Sequence, residues 1–216
     1  LLLSGCAEES KKLEQTSASI TSPNGNLEVH FQLDNNGKPF YLVKKNNTTV
    51  IDTSYLGLKF KNHPALIQNF KIAEVTTAEA DETWEQPWGE QRVIRDHHKQ
   101  LQLYLEETTD KPRKLKIIFK VFNDGVGFRY DIPQQEYLKG DLVISDEVTQ
   151  FKLTNDHKSW WIPADYDSYE YTYSETKLSE IDAQKAGYAQ RHDRNITNFH
   201  AVNTPITMET EDGFYV

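Results

Sequence analysis

Cysteine is almost missing from this sequence, and its basic residues are outnumbered by acidic ones. A single cysteine, Cys6, excludes a disulfide framework and a paired-cysteine zinc site within the 216 residues. No apolar run approaches the ~20 residues that a membrane-spanning helix requires. With 24 basic and 33 acidic residues, for a net charge of −9, no basic patch is expected to meet nucleic acid. A neutral partner such as a sugar, or a divalent cation, is compatible with this charge.

The first residues predict a lipid anchor. Residues 1–5, LLLSG, precede Cys6, as the end of a bacterial signal peptide precedes the lipobox cysteine that is acylated after cleavage. The alternative is an ordinary buried cysteine. Residues 7–21 are predicted to form a flexible tether, since the polar stretch that opens them has no apolar period. Any membrane association is therefore expected through lipid alone.

From residue 22 onward the pattern predicts one all-β domain, a large antiparallel sandwich. Apolar residues alternate with polar ones at 27–33, 101–105 and 115–121, and Gly-, Asn- and Pro-containing turns separate these runs. A short helix is predicted within 178–189, with Ser179 as a possible cap. Asp212-Gly213 signals a hairpin that only three residues follow, so we expect a domain that is incomplete at its C-terminal end.

Residues 159–173, SWWIPADYDSYEYTY, hold two tryptophans and four tyrosines beside three carboxylates. Aromatic faces stack on sugars, and carboxylates accept sugar hydroxyls or bind a hard cation. The candidate substrate-binding residues are Trp160, Trp161 and Asp165. The alternative is that the tryptophans fill a β-core and the polar groups form a wet rim.

A second aromatic segment lies at residues 81–92, where Pro87 and Gly89 interrupt regular structure. We expect Trp84 and Trp88 on a loop or strand edge, either at the rim of a sugar site or on a loop that caps the sandwich. His97 and His98 are adjacent on a predicted strand, so they point to opposite faces and are expected to be surface residues rather than one metal site.

The spacing Asp165-x-Asp167-x-x-Glu170 suggests calcium, which prefers several oxygen ligands. It is not an EF-hand loop, because the required glycine is absent. On a strand, Asp165 and Asp167 share one face while Glu170 points to the other. One of these carboxylates joining a site completed by other elements is therefore more plausible than a local cage.

Several motifs together resemble the N-terminal part of glycoside hydrolase family 97, and they stand in family order along residues 22–216. They are residues 22–27 (SPNGNL), 81–84 (DETW), 87–90 (PWGE), 119–130 (FKVFNDGVGFRY), 160–163 (WWIP) and 203–205 (NTP). The resemblance implies a β-supersandwich that precedes a catalytic (β/α)8 barrel carrying the catalytic carboxylates. No catalytic residue is then expected in this chain.

The family resemblance also implies an activity and a cofactor. Members are calcium-dependent, exo-acting α-glycosidases of the Gram-negative periplasm or envelope, either α-glucosidases or α-galactosidases. Their partners are oligo- or polysaccharides with α-linked glucose or galactose and their own barrel. The N-terminal domain contributes one glutamate to the calcium site, which the motif Tyr169-Glu170-Tyr171 assigns to Glu170, with Glu175 as the fallback. A lone glutamate predicts weak or no calcium binding by this chain alone.

Two other interpretations stay open at this point. The first is a non-catalytic, glycan-binding surface lipoprotein, and the second is a purely structural sandwich that supports another domain. In the first, four tryptophans form a stacking platform: Trp84, Trp88, Trp160 and Trp161.

Overall fold

The computed structural model describes residues 15–190, 195–211 and 213. The predicted all-β class is confirmed. The chain divides into two compact units, with the boundary between Lys152 and Leu153. Cys6, the predicted lipidation site, lies outside the described residues, as do residues 214–216 of the predicted C-terminal hairpin.

Two four-stranded antiparallel sheets build the first unit. One sheet has the order β1-β2-β3-β4 and the other has the order β6-β7-β8-β9. Their strands are β1 Ser17–Thr21, β2 Leu27–Leu33, β3 Pro39–Lys45, β4 Thr48–Tyr55, β6 Phe70–Glu85, β7 Val93–Glu107, β8 Lys114–Phe122 and β9 Val126–Asp131. A smaller two-stranded sheet pairs β5 Leu58–Phe60 with β10 Ile144–Glu147.

The predicted hairpin turns are present at the ends of these strands. Gly37 between β2 and β3 has φ 67°, and Asn46 and Asn47 between β3 and β4 have φ 49° and 65°. Glycine and asparagine tolerate this left-handed region better than other residues. One boundary was wrong: residues 17–21 were assigned to the flexible tether, but they form β1 and pair along β2.

Buried apolar residues alternate with more exposed residues along β2, β7 and β8, so one face of each sheet packs into a shared core. β1 contacts β7 and β2 contacts β8, so the sheets stack as a sandwich. The Tyr41 ring lies at its centre, 5.7 Å from the ring of Phe119 and 5.5 Å from that of Phe128. Burial raises the pKa of Tyr41, whose hydroxyl donates to the carbonyl of Gln150 at 3.0 Å.

Strands β6 and β7 continue beyond the sandwich. The last pair that β7 forms with β8 is His98 with Phe122, whereas β7 pairs with β6 as far as Val93. His98 corrects one expectation, because it is buried against the Phe122 ring at 5.1 Å and its Nδ1 pairs with the Asp96 carboxylate. A side chain from the neighbouring strand therefore covers a residue that was expected at the surface.

Among its described residues, the second unit contains a three-stranded antiparallel sheet and one short helix. The sheet has the order β12-β11-β13, with β11 Lys158–Trp161 at its centre, β12 Ser174–Lys177 and β13 Thr207–Glu209. A single 3-10 turn, Leu178–Glu180, precedes helix α1, Ala183–Gln190. None of the described helices is long and apolar enough to span a bilayer.

The predicted helix is present, but its N-terminal cap is not Ser179. The Asp182 carboxylate accepts the backbone N–H of Lys185 at 2.9 Å, which is the usual capping geometry. Ser179 instead donates its hydroxyl and its backbone N–H to Asp156, at 2.8 and 2.9 Å. Those two bonds hold the pKa of Asp156 below its usual range.

Candidate functional site

The candidate site is the segment that leaves β11 and returns at β12, residues 162–173, which we call the aromatic loop. The two tryptophans that precede it point to opposite faces of β11. Trp161 is 1% exposed and packs with Ile181, Ala183 and Ile196, while its indole N–H donates to Thr176 Oγ1 at 3.0 Å. The prediction of Trp161 as a sugar-stacking residue is therefore corrected, because no face of its ring is accessible.

Trp160 is half-buried and belongs to a small polar cluster with Lys158 and Glu175. Its indole N–H donates to Glu175 Oε2 at 3.0 Å, and Lys158 Nζ lies 4.7 Å from its ring centroid. Lys158 Nζ is also 2.8 Å from Glu175 Oε1. The hydrogen bond from Lys158 holds the pKa of Glu175 below its usual range. Both Glu175 oxygens are thus engaged, so this fallback ligand would have to leave two partners to bind a metal.

Asp165 is buried and holds the aromatic loop closed. Its Oδ1 accepts the backbone N–H of Asp167 at 2.8 Å, and its Oδ2 accepts the hydroxyl of Tyr171 at 2.5 Å. Tyr171 is itself buried. Because these contacts tie residue 165 to residue 171, they fix both ends of the short segment between them. Substrate binding by Asp165 stays a prediction, and positioning of the loop is the role that its hydrogen bonds support.

A shallow cleft of about 410 Å³ opens on this loop. Residues 165–169, together with Asn203 and Thr204, line it. Tyr166 is 85% exposed, and the hydroxyl of Tyr169 donates to the Thr204 carbonyl at 3.2 Å. Exposed phenol rings and backbone carbonyls beside a cleft are groups that can contact a sugar.

Glu170 stands on the anchored segment with its side chain at the surface. Its backbone N–H donates to Ser168 Oγ at 3.1 Å, so the main chain at this position is also held. Calcium takes six to eight oxygen ligands, yet within residues 15–190, 195–211 and 213 no three His, Cys, Asp or Glu side chains are grouped to hold a metal. Glu170 is therefore suited to supply one ligand to a site that other groups complete.

Trp84 and Trp88 belong to the first unit rather than to the unit of the aromatic loop. Trp84 lies on β6 and is 51% exposed, and Trp88 lies in the turn between β6 and β7 and is 83% exposed. Both positions agree with the expected loop or strand edge, because Trp88 lies in the turn and Trp84 lies one residue before the end of β6, which is the edge strand of its sheet. Neither indole N–H has a hydrogen-bond partner among the described residues.

Sequence reasoning missed the two residue groups that give the site its shape. The Asp165–Tyr171 hydrogen bond spans a bend, and the Trp160–Glu175 contact joins two strands across a 12-residue connection. Trp160 and Trp161 are adjacent on β11 and therefore point to opposite faces, but nothing in the sequence pattern indicates which of the two is buried.

Comparisons with known proteins agree on one family. A family model described as the N-terminal part of glycosyl hydrolase 97 matches residues 20–216. Solved structures of a glycoside hydrolase family 97 enzyme from Pseudoalteromonas sp. strain K8, in complex with panose and with acarbose, are 32% identical to this chain, with a TM-score of 0.76. The match covers 92% of this chain and 27% of that enzyme.

A β-arabinopyranosidase shares the fold at 22% identity and a TM-score of 0.73, over 89% of this chain and 29% of that protein. This chain thus spans roughly a quarter of the length of the solved enzymes that it matches.

Proposed function

Because the chain belongs to glycoside hydrolase family 97 and corresponds to its N-terminal domain, we propose that it serves a calcium-dependent, exo-acting α-glycosidase by supporting the catalytic barrel and supplying one calcium ligand. The observation that carries the proposal is the position of Glu170. An exposed carboxylate stands on a segment that buried Asp165 and Tyr171 anchor on both sides. Because the segment is already held in place, Glu170 loses less conformational entropy when it binds a metal ion.

Under this proposal, the residues of this chain do not perform the bond cleavage. Glu170 would hold the calcium ion through a carboxylate oxygen, and the Asp165–Tyr171 hydrogen bond would keep the backbone that carries Glu170 in position. When bound, calcium supplies a fixed positive charge that can orient sugar hydroxyls. The cleft of residues 165–169 contributes aromatic surface to the wall of the site.

The substrate is proposed to be an oligosaccharide or polysaccharide with terminal α-linked glucose or galactose. Support comes from the 32%-identical relative, which was solved in complex with panose and with acarbose. We further propose acylation at Cys6 and a location in the Gram-negative envelope, as a periplasmic or outer-membrane lipoprotein. The alternative of a four-tryptophan glycan platform is weakened, since Trp161 is buried in the core.

The test is hydrolysis of p-nitrophenyl α-glucoside and α-galactoside by the full-length enzyme, with and without calcium. We expect calcium-dependent cleavage of one of the two. Glu170→Gln, which removes the charge and keeps the size, should lower kcat/KM at least as much as the ~10–100-fold that loss of an outer-shell partner costs.

Glu175→Gln is the comparison variant, because it changes the fallback ligand in the same unit. A glutamine oxygen can still accept the indole N–H of Trp160, so this variant should keep most of the activity. Equal losses in both variants would contradict the assignment to Glu170, and absence of cleavage with either substrate would contradict the proposed activity.

A further inference from the structure

A second cleft lies within the first unit and uses none of the residues of the aromatic loop. Its volume is about 770 Å³, against about 410 Å³ for the cleft on the aromatic loop. Three segments line it: residues 63–69 between β5 and β6, residues 107–113 around the turn between β7 and β8, and residues 136–139 after β9. Small-molecule sites span ~300–1,000 Å³, so the cleft has room for a short saccharide.

A buried ion pair forms the floor of this cleft and joins two of its segments. Arg113 and Glu107 are both buried, and the guanidinium Nε and Nη2 donate to the two carboxylate oxygens at 2.7 and 2.6 Å. Nη1 and Nη2 also donate to the backbone carbonyls of Pro64 and Ala65, at 2.5 and 2.9 Å. Such bidentate, charge-assisted contacts are geometrically specific, so the floor fixes the segment of residues 63–69 without using the side chains at the rim.

The backbone that carries the rim of the cleft is held as well. The Asn69 carbonyl accepts the backbone N–H of Thr108 at 2.8 Å and the hydroxyl of the same residue at 3.1 Å. Two residues before Tyr137, the Gln135 side chain accepts the backbone N–H of Lys114 at 2.6 Å and donates to its carbonyl at 3.0 Å. The rim is therefore formed before a ligand arrives, and a preorganised site loses less conformational entropy on binding.

The polar groups at the rim are available to a ligand. Gln68 and Asn69 each carry a side-chain amide and Tyr137 carries a phenol hydroxyl, and none of these groups forms a hydrogen bond to another described residue. Tyr137 is 41% exposed, so part of its ring is open to the cleft. Amides that donate and accept beside an aromatic face are the combination that sugar recognition requires.

The charges around the cleft favour a neutral ligand. Three lysine or arginine side chains line it, Lys111, Lys139 and Arg113, together with two acidic ones, Glu107 and Glu136. Arg113 and Glu107 neutralise each other in the floor, which leaves charges of both signs at the rim. An acidic ligand is held by a surface of one sign, so this rim suits a saccharide without charged groups.

We propose that this cleft is a second carbohydrate-binding site, in which a neutral sugar unit stacks on Tyr137 and hydrogen-bonds to Gln68 and Asn69. The inference deepens the proposed function and rests on it: the bound unit belongs to the polysaccharide of α-linked glucose or galactose on which the full-length enzyme acts. Attachment at a second point raises the effective concentration of the remaining chain. A polysaccharide therefore benefits from the cleft, whereas a substrate with a single sugar unit does not.

Affinity chromatography of the full-length enzyme tests the proposal, with amylose coupled to one column and galactomannan to another. We expect retention on the column whose sugar the enzyme hydrolyses. Tyr137→Ala, which removes the stacking face, should weaken retention at least ~10-fold, and Gln68→Ala should weaken it several-fold. Tyr137→Phe keeps the ring and should be retained nearly as strongly as the parent. Both positions are exposed, so the variants are expected to fold.

Tyr188→Ala is the matched control, because Tyr188 is also a tyrosine that is 41% exposed but lies on α1, outside the cleft. It should be retained like the parent. Equal retention of Tyr137→Ala and Tyr188→Ala would overturn the proposal, as would a parent enzyme that neither column retains. Retention that disappears at high salt would show that charge rather than stacking causes it, and would also overturn the proposal.

Hydrolysis of the two p-nitrophenyl glycosides and of the retained polysaccharide is measured on the same preparations. Tyr137→Ala should lower kcat/KM for the polysaccharide several-fold more than kcat/KM for the small substrates. Retention that depends on Tyr137, without hydrolysis of either small substrate, would leave the carbohydrate site of this cleft standing and overturn the proposed activity. Hydrolysis without such retention would do the reverse.

Discussion

Removing one hydroxyl from the aromatic loop should release the segment that carries Glu170. In Tyr171→Phe, buried Asp165 loses the Tyr171 hydroxyl, which donates to it at 2.5 Å. Hydrogen bonds to charged groups contribute about 1.5–3 kcal/mol. Asp165 is 8% exposed, so water replaces the lost donor poorly and the upper half of that range applies. Ring packing is unchanged, which isolates the polar contribution.

Hydrogen exchange of the backbone amides at residues 166–172 measures this effect locally. A loss in the upper half of that range, about 2–3 kcal/mol, corresponds to about 30- to 160-fold faster exchange through local opening. Tyr166→Phe is the control, because Tyr166 is 85% exposed, and surface substitutions usually change stability by less than about 0.5 kcal/mol. Equal exchange rates in the two variants would refute the assignment of Asp165 as the anchor of the loop.

Other predictions concern the two cores and the pH dependence of stability. Trp161→Ala should lower the free energy of unfolding by about 3–5 kcal/mol in urea titrations, whereas Tyr166→Ala should change it little. Gly37→Ala should be more destabilising than Gly25→Ala: both glycines have positive φ, but a Cβ at 37 would lie 2.5 Å from a backbone oxygen and one at 25 meets nothing within 4 Å. Thermal melts that rank the two alanine variants equally would contradict this steric reasoning. Because burial raises the pKa of Tyr41, the unfolded chain ionises first, near pH 10, and stability is lost as the pH rises above that value. Tyr41→Phe, which loses about 1 kcal/mol at neutral pH with its hydrogen bond, should therefore lose stability less steeply than the parent in alkaline unfolding curves.

The sandwich could be predicted from sequence because its signals are local. Alternation at residues 27–33 and 115–121 directed the side chains correctly, and Asn36-Gly37 placed a turn whose backbone requires glycine. The strand at 17–21 could not be predicted in this way. Only Ile20 is buried there, and the strand forms because its backbone pairs along β2, which is a tertiary effect.

The sequence indicated which segment forms the candidate site, but not how the side chains of that segment are arranged. Residue types marked 159–173, yet the burial of Trp161 depends on α1 and on the chain near residue 196, both of which come later in sequence. The Asp165–Tyr171 anchor depends on a bend that no periodicity encodes. His98 shows the same limit, since Phe122, 24 positions later, covers it.

The most direct test of the central claim is calorimetric titration of calcium into metal-free full-length enzyme, its Glu170→Gln variant and its Glu175→Gln variant. We expect tight binding by the parent and by Glu175→Gln, and at least ~10-fold weaker binding by Glu170→Gln. Unchanged affinity in Glu170→Gln, or a loss confined to Glu175→Gln, would contradict it.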